Sequence, residues 1–347
     1  MVQSLIPGLM DDVAELCLSR VPRSSFRIIS QVCWGWTRFL RSERYGAVRK
    51  LTGSVEELMC VKVNNNNWEV FDCSGNKLGR IPPSPGPSWV GGLRHAVLDG
   101  QRIVVFGGKS ARVPSADVYE FNPATNRWRK LADMNIPRSG FTYAVVDGLL
   151  YVNQGYSSDD VRILNSEVYN PKTNQWSLMD CPKSHGFGGF AFSFNSKLFV
   201  VGGNRRAAHI LLFRVKHTLM MIIFSGERSR FIDIYDPKTE IWEKLDTGPL
   251  SVYSYTVLRN KVYFFEWFTP GMGVFDPEKN ALSSVFVPPN NKCEFRYTIG
   301  QWNNKVILFS EGREALSGDL DKEDTPKWTT TPIKTSYHHA TSVLINF

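Results

Sequence analysis

Along most of the chain the apolar residues fall in short runs, three to five long, separated by brief polar stretches, a rhythm suited to strands rather than helices. The runs pair up: Ala96 to Leu98 with Ile103 to Phe106, Tyr143 to Val146 with Leu150 to Val152, and Phe190 to Phe194 with Leu198 to Val201. Tyr255 to Leu258 with Val262 to Phe265, and Tyr297 to Gln301 with Val306 to Phe309, continue the series. Asp99-Gly100, Asp147-Gly148, Asn195-Ser196, Arg259-Asn260 and Asn303-Asn304 fill the gaps, as tight hairpin turns require. The pattern predicts five matched hairpins.

A second phrase recurs after each hairpin: Phe121-Asn122-Pro123 with Trp128, Tyr169-Asn170-Pro171 with Trp176, and Tyr235-Asp236-Pro237 with Trp242. Phe275-Asp276-Pro277 with Leu282 lacks the Trp, and Phe71-Asp72 with Leu78 is fainter still. The phrase predicts a strand ending in an aromatic, a turn at Asn/Asp-Pro, and a further strand near the Trp. Gly107-Gly108, Gly202-Gly203 and a lone Gly155 follow the second strand of three units. Four strands, a Gly pair and a Trp at a spacing of about 40 to 50 residues resemble the kelch family, which implies a β-propeller.

Five units run from His95 to Trp328, leaving a hairpin at Leu58 to Phe71 and a strand at His339 to Ile345. Pairing these ends completes a sixth blade and removes two exposed edges, so a terminal clasp is expected. Between Gly203 and Phe231 lie about twenty residues more than the other units need. This 205–229 insertion is expected to be a poorly ordered loop or a retained intron; it is too short and too charged to span a membrane.

The first fifty residues follow another period. Val13, Cys17, Leu18, Val21, Ile28, Ile29, Val32, Trp36, Phe39 and Leu40 recur at helical spacing, interrupted by Pro22, which predicts three short helices. Asp12 and Glu15 suggest a capping box, and Ser24 or Ser25 a cap for the next helix. So small a segment cannot bury so many large apolar side chains internally, so one face must dock elsewhere, on the β domain or on a partner.

Leu9-Met10-Asp11-Asp12, Cys17-Leu18 with Val21-Pro22, and Val32-Cys33-Trp34-Gly35-Trp36 followed by Leu40 resemble the F-box family. The departures are Met10, where proline is usual, and Cys17, where Ile is common. The resemblance implies that Leu9, Met10, Val13, Cys17, Leu18, Val21, Pro22, Val32, Cys33, Trp36 and Leu40 anchor a Skp-type adaptor, and through it a cullin. The expected architecture is therefore mainly β: a six-bladed kelch-type β-propeller (58–347) preceded by a small three-helix F-box domain (1–50) and a linker (51–57).

The 347-residue chain carries a net charge of +8, but its 41 Lys and Arg are scattered, which argues against nucleic acid. The six cysteines form no Cys-x-x-Cys pair and are expected to be reduced and buried. No signal-peptide pattern opens the sequence, so a cytoplasmic or nuclear location is expected. Phosphate-loop, nucleophile-elbow and zinc-helix motifs are absent, pointing to a non-enzymatic protein without cofactor or metal. A copper radical oxidase is the sharpest enzymatic alternative, with His95, His185 and His338 near the starts of first strands.

Asp99, Asp147, Glu120 and Glu167 are expected on the solvated surface. A target-binding rim is expected to carry Lys109, Arg112, Arg138, Tyr156, Arg162, Arg205, Trp267, Phe268, Arg296 and Arg313, suited to an acidic protein face. The expected function is the substrate receptor of a Skp-Cullin-F-box ubiquitin ligase. The alternative is a kelch scaffold whose helices merely pack on the ring, which burial of Trp36 and Leu40 would favour.

Overall fold

The computed structural model describes residues 4–63, 67–85, 91–110, 113–158, 161–180, 189–203, 208–215, 218–225, 230–246, 252–266, 271–288, 297–310, 312–320, 326–335 and 341–346. Helices α1 (Asp11–Ser19), α2 (Phe26–Ile29), α3 (Trp34–Leu40) and α4 (Glu43–Leu51) come first, with a 3-10 turn at Arg23–Ser25. Among the described residues there are thus four α-helices rather than three, because Ser42 caps an extra one through the Tyr45 N–H. The expected capping box does not form: Met10 occupies the first cap position, and no side chain bonds there.

Six four-stranded antiparallel units follow, one of them carrying an extra two-residue strand. The first blade takes Glu57–Lys62, Trp68–Phe71 and Lys77–Ile81 from the start of the chain and its innermost strand, Thr341–Asn346, from the end. Met59 faces Leu344 and Val61 faces Ser342 across this clasp. Each blade is buried on both faces, so its second strand is a continuous apolar run rather than an alternating one. In Leu58-Met59-Cys60-Val61, Leu58 and Cys60 turn toward the second blade while Met59 and Val61 turn toward the sixth. Six apolar clusters result, one at each blade boundary.

Local chemistry accounts for the recurring phrases. At all five hairpin turns both residues have positive φ, as in Asp99 (52°) and Gly100 (67°), the geometry whose twist matches the flanking strands. The Asn or Asp before each proline accepts a backbone N–H two residues on: Ala124 to Asn122 Oδ1 at 2.9 Å, Lys172 to Asn170 at 2.9 Å, Lys238 to Asp236 at 2.9 Å. Seven-residue spacing makes the aromatic and the Trp direct cross-strand partners, Phe121 with Trp128 and Tyr169 with Trp176.

The Trp indoles also join neighbouring blades. Trp128 donates to the Pro82 carbonyl at 2.8 Å, Trp176 to Ala132 at 3.0 Å and Trp328 to Phe286 at 3.1 Å, each acceptor lying just past the outer strand of the preceding blade. Gly107 explains the Gly pair: its φ is +64°, and a Cβ there would stand 2.4 Å from the Phe141 ring of the next blade.

The insertion departs from the expected loop. Ala208–Val215 and Thr218–Ser225 form a two-stranded antiparallel hairpin, in register from Ala208 opposite Ser225 to Val215 opposite Thr218. Among the described residues these strands pair only with each other; 205–207, 216–217 and 226–229 lie outside the described residues.

Candidate docking surfaces

Antiparallel strand order gives the ring two faces. The hairpin turns and the Asn/Asp-Pro turns share one of them; the second-to-third-strand loops and the blade connections share the other. The helices sit on the turn face, where Arg23 donates an Nη2–H to the Pro123 carbonyl at 3.4 Å. Leu18, Phe39, Leu40 and Tyr45 enter one cluster with Leu58, Cys60, Trp68 and Ile81 of the first blade and Ile103 and Phe121 of the second. Arg49, 1 % exposed, fastens the helices together by donating to the Ser19 and Val21 carbonyls and the Tyr45 hydroxyl, and it reaches Glu56 at 3.4 Å.

This packing divides the adaptor-binding set that the F-box resemblance implied. Leu18 and Leu40 are each 2 % exposed and belong to the core shared with the propeller, so neither is on an outer surface. Val13, Val21 and Trp36 are half-buried, and the Trp36 indole donates to the Leu5 carbonyl at 2.6 Å. Leu9, Met10, Cys17, Pro22, Val32 and Cys33 are exposed. Met10 and Val32 stand at 72 % and 60 %, joined by two residues outside the expected set, Ile28 at 72 % and Trp34 at 74 %. The signal for Trp34 was its place off the Trp36-Phe39-Leu40 stripe of α3, which turns inward.

Six of the thirteen large apolar side chains exposed among the described residues lie within the first 51 positions. The helical segment therefore carries an uncovered apolar surface besides the one spent on the ring. Met10 has φ −66°, the value proline itself adopts, so the proline-free start of α1 keeps the backbone a proline would impose.

On the opposite face, Lys109, Tyr156 and Arg162 are half-buried and Arg313 is exposed. Backbone bridges lace these loops together, Ser115 with Arg138 and Ser139 with Tyr156, which in turn pairs with Arg162. Arg112, Arg205, Trp267, Phe268 and Arg296 lie outside the described residues. The insertion hairpin joins second and third strands, which puts it on this face too.

Arg138 must be removed from the expected rim: it is 0 % exposed, pairs with the equally buried Glu167 at 2.5 Å, and donates to the Gln154 and Asn165 carbonyls at 2.7 and 2.9 Å. Glu167 in turn accepts the Asn135 and Ile136 N–H groups. Glu167 and Glu120 are therefore not solvated surface; Glu120, 2 % exposed, is held by Arg102 at 3.0 Å and Arg129 at 2.7 Å. Of the four described cysteines only Cys60 is buried, so the expectation of buried thiols fails for Cys17, Cys33 and Cys73.

Of the three histidines in the oxidase alternative, His185 and His338 lie outside the described residues. His95 packs edge-on against Trp68, and burial, aided by the Lys62 and Arg94 charges, pushes its pKa down to about 3. Among the described residues no three His, Cys, Asp or Glu side chains are grouped to hold a metal ion.

The sequence matches the KLHDC2/KLHL20/DRC7 Kelch-repeats domain over residues 45–266. It is 55% identical to a putative F-box/kelch-repeat protein of Arabidopsis thaliana, covering 99% of this chain and 97% of the relative. A second F-box/kelch-repeat protein of that plant is 32% identical over 98% of this chain and 89% of its own length. The F-box protein AFR, from the same organism, is 29% identical over 40% of this chain and 39% of its own. Helices fused to a six-bladed ring, and likeness along almost the whole length, place the chain in the F-box/kelch-repeat family.

Proposed function

We propose that this protein is the non-catalytic substrate-recognition subunit of a Skp-Cullin-F-box ubiquitin ligase. The observation that carries the proposal is the divided character of the helical segment: Leu18 and Leu40 are spent on the propeller while Met10, Ile28, Val32 and Trp34 remain uncovered. A Skp-type adaptor covers that second surface, and the cullin joins through the adaptor. The loop face, pointing away from the helices, takes a target with an acidic surface through Lys109, Tyr156, Arg162 and Arg313. The ring contributes proximity, holding a target lysine near an enzyme charged with ubiquitin elsewhere in the assembly. Such a subunit works in the cytoplasm or nucleus.

Because Leu40 is buried, altering it tests folding rather than docking. The informative variants are Val32→Asp and Trp34→Asp, compared with the unmodified chain for binding to a Skp-type adaptor by calorimetry. Each variant should weaken binding at least tenfold while leaving the melting temperature in place. A folded, unmodified chain that fails to bind at micromolar concentration would overturn the reading. It would also favour a kelch scaffold, a role to which the shared core of helices and ring is equally suited.

A further inference from the structure

A cleft of about 340 Å³ opens between the helices and the turn face of the first two blades. Its walls are mostly apolar, with Phe26 on the helical side and Phe121 on the propeller side. Four arginines, Arg23, Arg27, Arg41 and Arg80, share the lining, and no carboxylate side chain is among the described residues that form it. Two of these arginines have an acid close by: Glu56 accepts the Arg23 backbone N–H at 2.9 Å and Glu69 pairs with Arg80 at 3.5 Å; Arg27 and Arg41, both exposed, supply the remaining charge. Arg23 lies with its guanidinium 4.2 Å over the Phe26 ring, and burial pushes its pKa down to about 10.

The volume is that of a drug-sized ligand site, and apolar walls with a few convergent charges are the usual composition of such a site. Guanidinium groups favour carboxylate, sulfonate and phosphate oxygens, which they can engage in pairs. We infer that the cleft is a binding site for a small amphipathic organic anion, with its apolar body against the apolar walls and its acidic group toward Arg27 and Arg41. Such a ligand touches helices and ring together, so it stabilises their junction by mass action. The inference is independent of the ligase reading.

Gly79 supplies a clean test, because it lines the cleft and a Cβ there would meet nothing within 4 Å. Gly79→Phe fills the space, adds strand propensity and leaves every arginine in place. The probe is 8-anilinonaphthalene-1-sulfonate, titrated by fluorescence against the full chain, beside N-phenyl-1-naphthylamine, the same skeleton without the sulfonate.

The sulfonate should bind saturably at one site and raise the melting temperature, with the uncharged analogue at least tenfold weaker. Gly79→Phe should abolish binding, and Arg41→Met should weaken it about five- to tenfold. Arg41 is exposed, so its replacement should leave the fold in place, whereas Arg23 is half-buried and bonds the Pro123 carbonyl. Equal binding of the two dyes, or unchanged binding in a folded Gly79→Phe variant, would overturn the inference.

Discussion

Replacing Arg138 by methionine removes one half of an ion pair whose two side chains are each 0 % exposed. Among the described residues the Glu167 carboxylate would keep the Asn135 and Ile136 N–H groups, at 2.7 and 3.1 Å, and the Gln154 and Asn165 carbonyls would each lose the bond from Arg138. Breaking a buried pair costs about 3–5 kcal/mol, to which the two lost bonds to carbonyls add. Against a domain stability of roughly 5–15 kcal/mol, the substitution should bring the chain close to unfolding at ordinary temperature. Urea unfolding at pH 7, followed by tryptophan fluorescence, measures it.

Glu167→Gln and the double variant complete a cycle. The double variant should be less destabilised than the sum of the two singles by about 2 kcal/mol or more, because once one partner is gone the other has no charge to answer. A loss below about 1 kcal/mol for Arg138→Met, with an unchanged denaturant slope, would refute the assignment. It would return Arg138 to the accessible loop surface.

Three other outcomes are expected. Gly107→Ala forces a left-handed alanine and a Cβ 2.4 Å from the Phe141 ring, which should lower stability by about 3 kcal/mol in the same urea assay. Asp233 is buried and its carboxyl is pushed up to about 7 by desolvation, which Lys244 only partly offsets. The unfolded chain therefore loses this proton first as pH rises from about 4 to about 7, and stability falls across that window. Asp233→Asn should gain on the parent by about 2–4 kcal/mol between pH 4 and pH 8, by unfolding at both pH values. Met10→Pro fits the observed φ of −66° and should raise stability by about 0.4–1 kcal/mol, by restricting the unfolded chain, in the same urea assay; a loss would show that the Leu9 backbone resists a following proline.

What the sequence disclosed was set by how local its cause is. The hairpin turns and the Asn/Asp-Pro phrase were legible because a side chain within two residues, or a left-handed pair, fixes each one. The clasp followed from an unpaired strand at each end and the cost of open edges. Arg138 was misplaced because its loop connects two blades at the face and then dives between them, a path that only the assembled ring defines. Glu120 and Glu167 were expected in solvent, but strands covered on both faces leave no solvated side for them. Leu40 and Trp34 sit six residues apart in one helix, and composition alone does not say which of them meets the ring. The insertion's paired apolar runs, Ile210 to Phe213 and Leu219 to Phe224, had the shape of a strand, turn and strand but matched no neighbour in the repeat.

The clasp also sets a timetable for biogenesis. Glu57–Lys62 is translated long before the strand that covers its inner edge, Thr341–Asn346, because the other five blades lie between them in the chain. Until then five blades can assemble around a sixth that still offers open amide and carbonyl groups along its inner edge. Nascent chains therefore keep that edge uncovered while the other five blades are made, a state that crowded polysomes make hazardous. A nonsense codon anywhere between Lys334 and Thr341 would make that transient state permanent, yielding a chain with five complete blades and a sheet edge open to its neighbours.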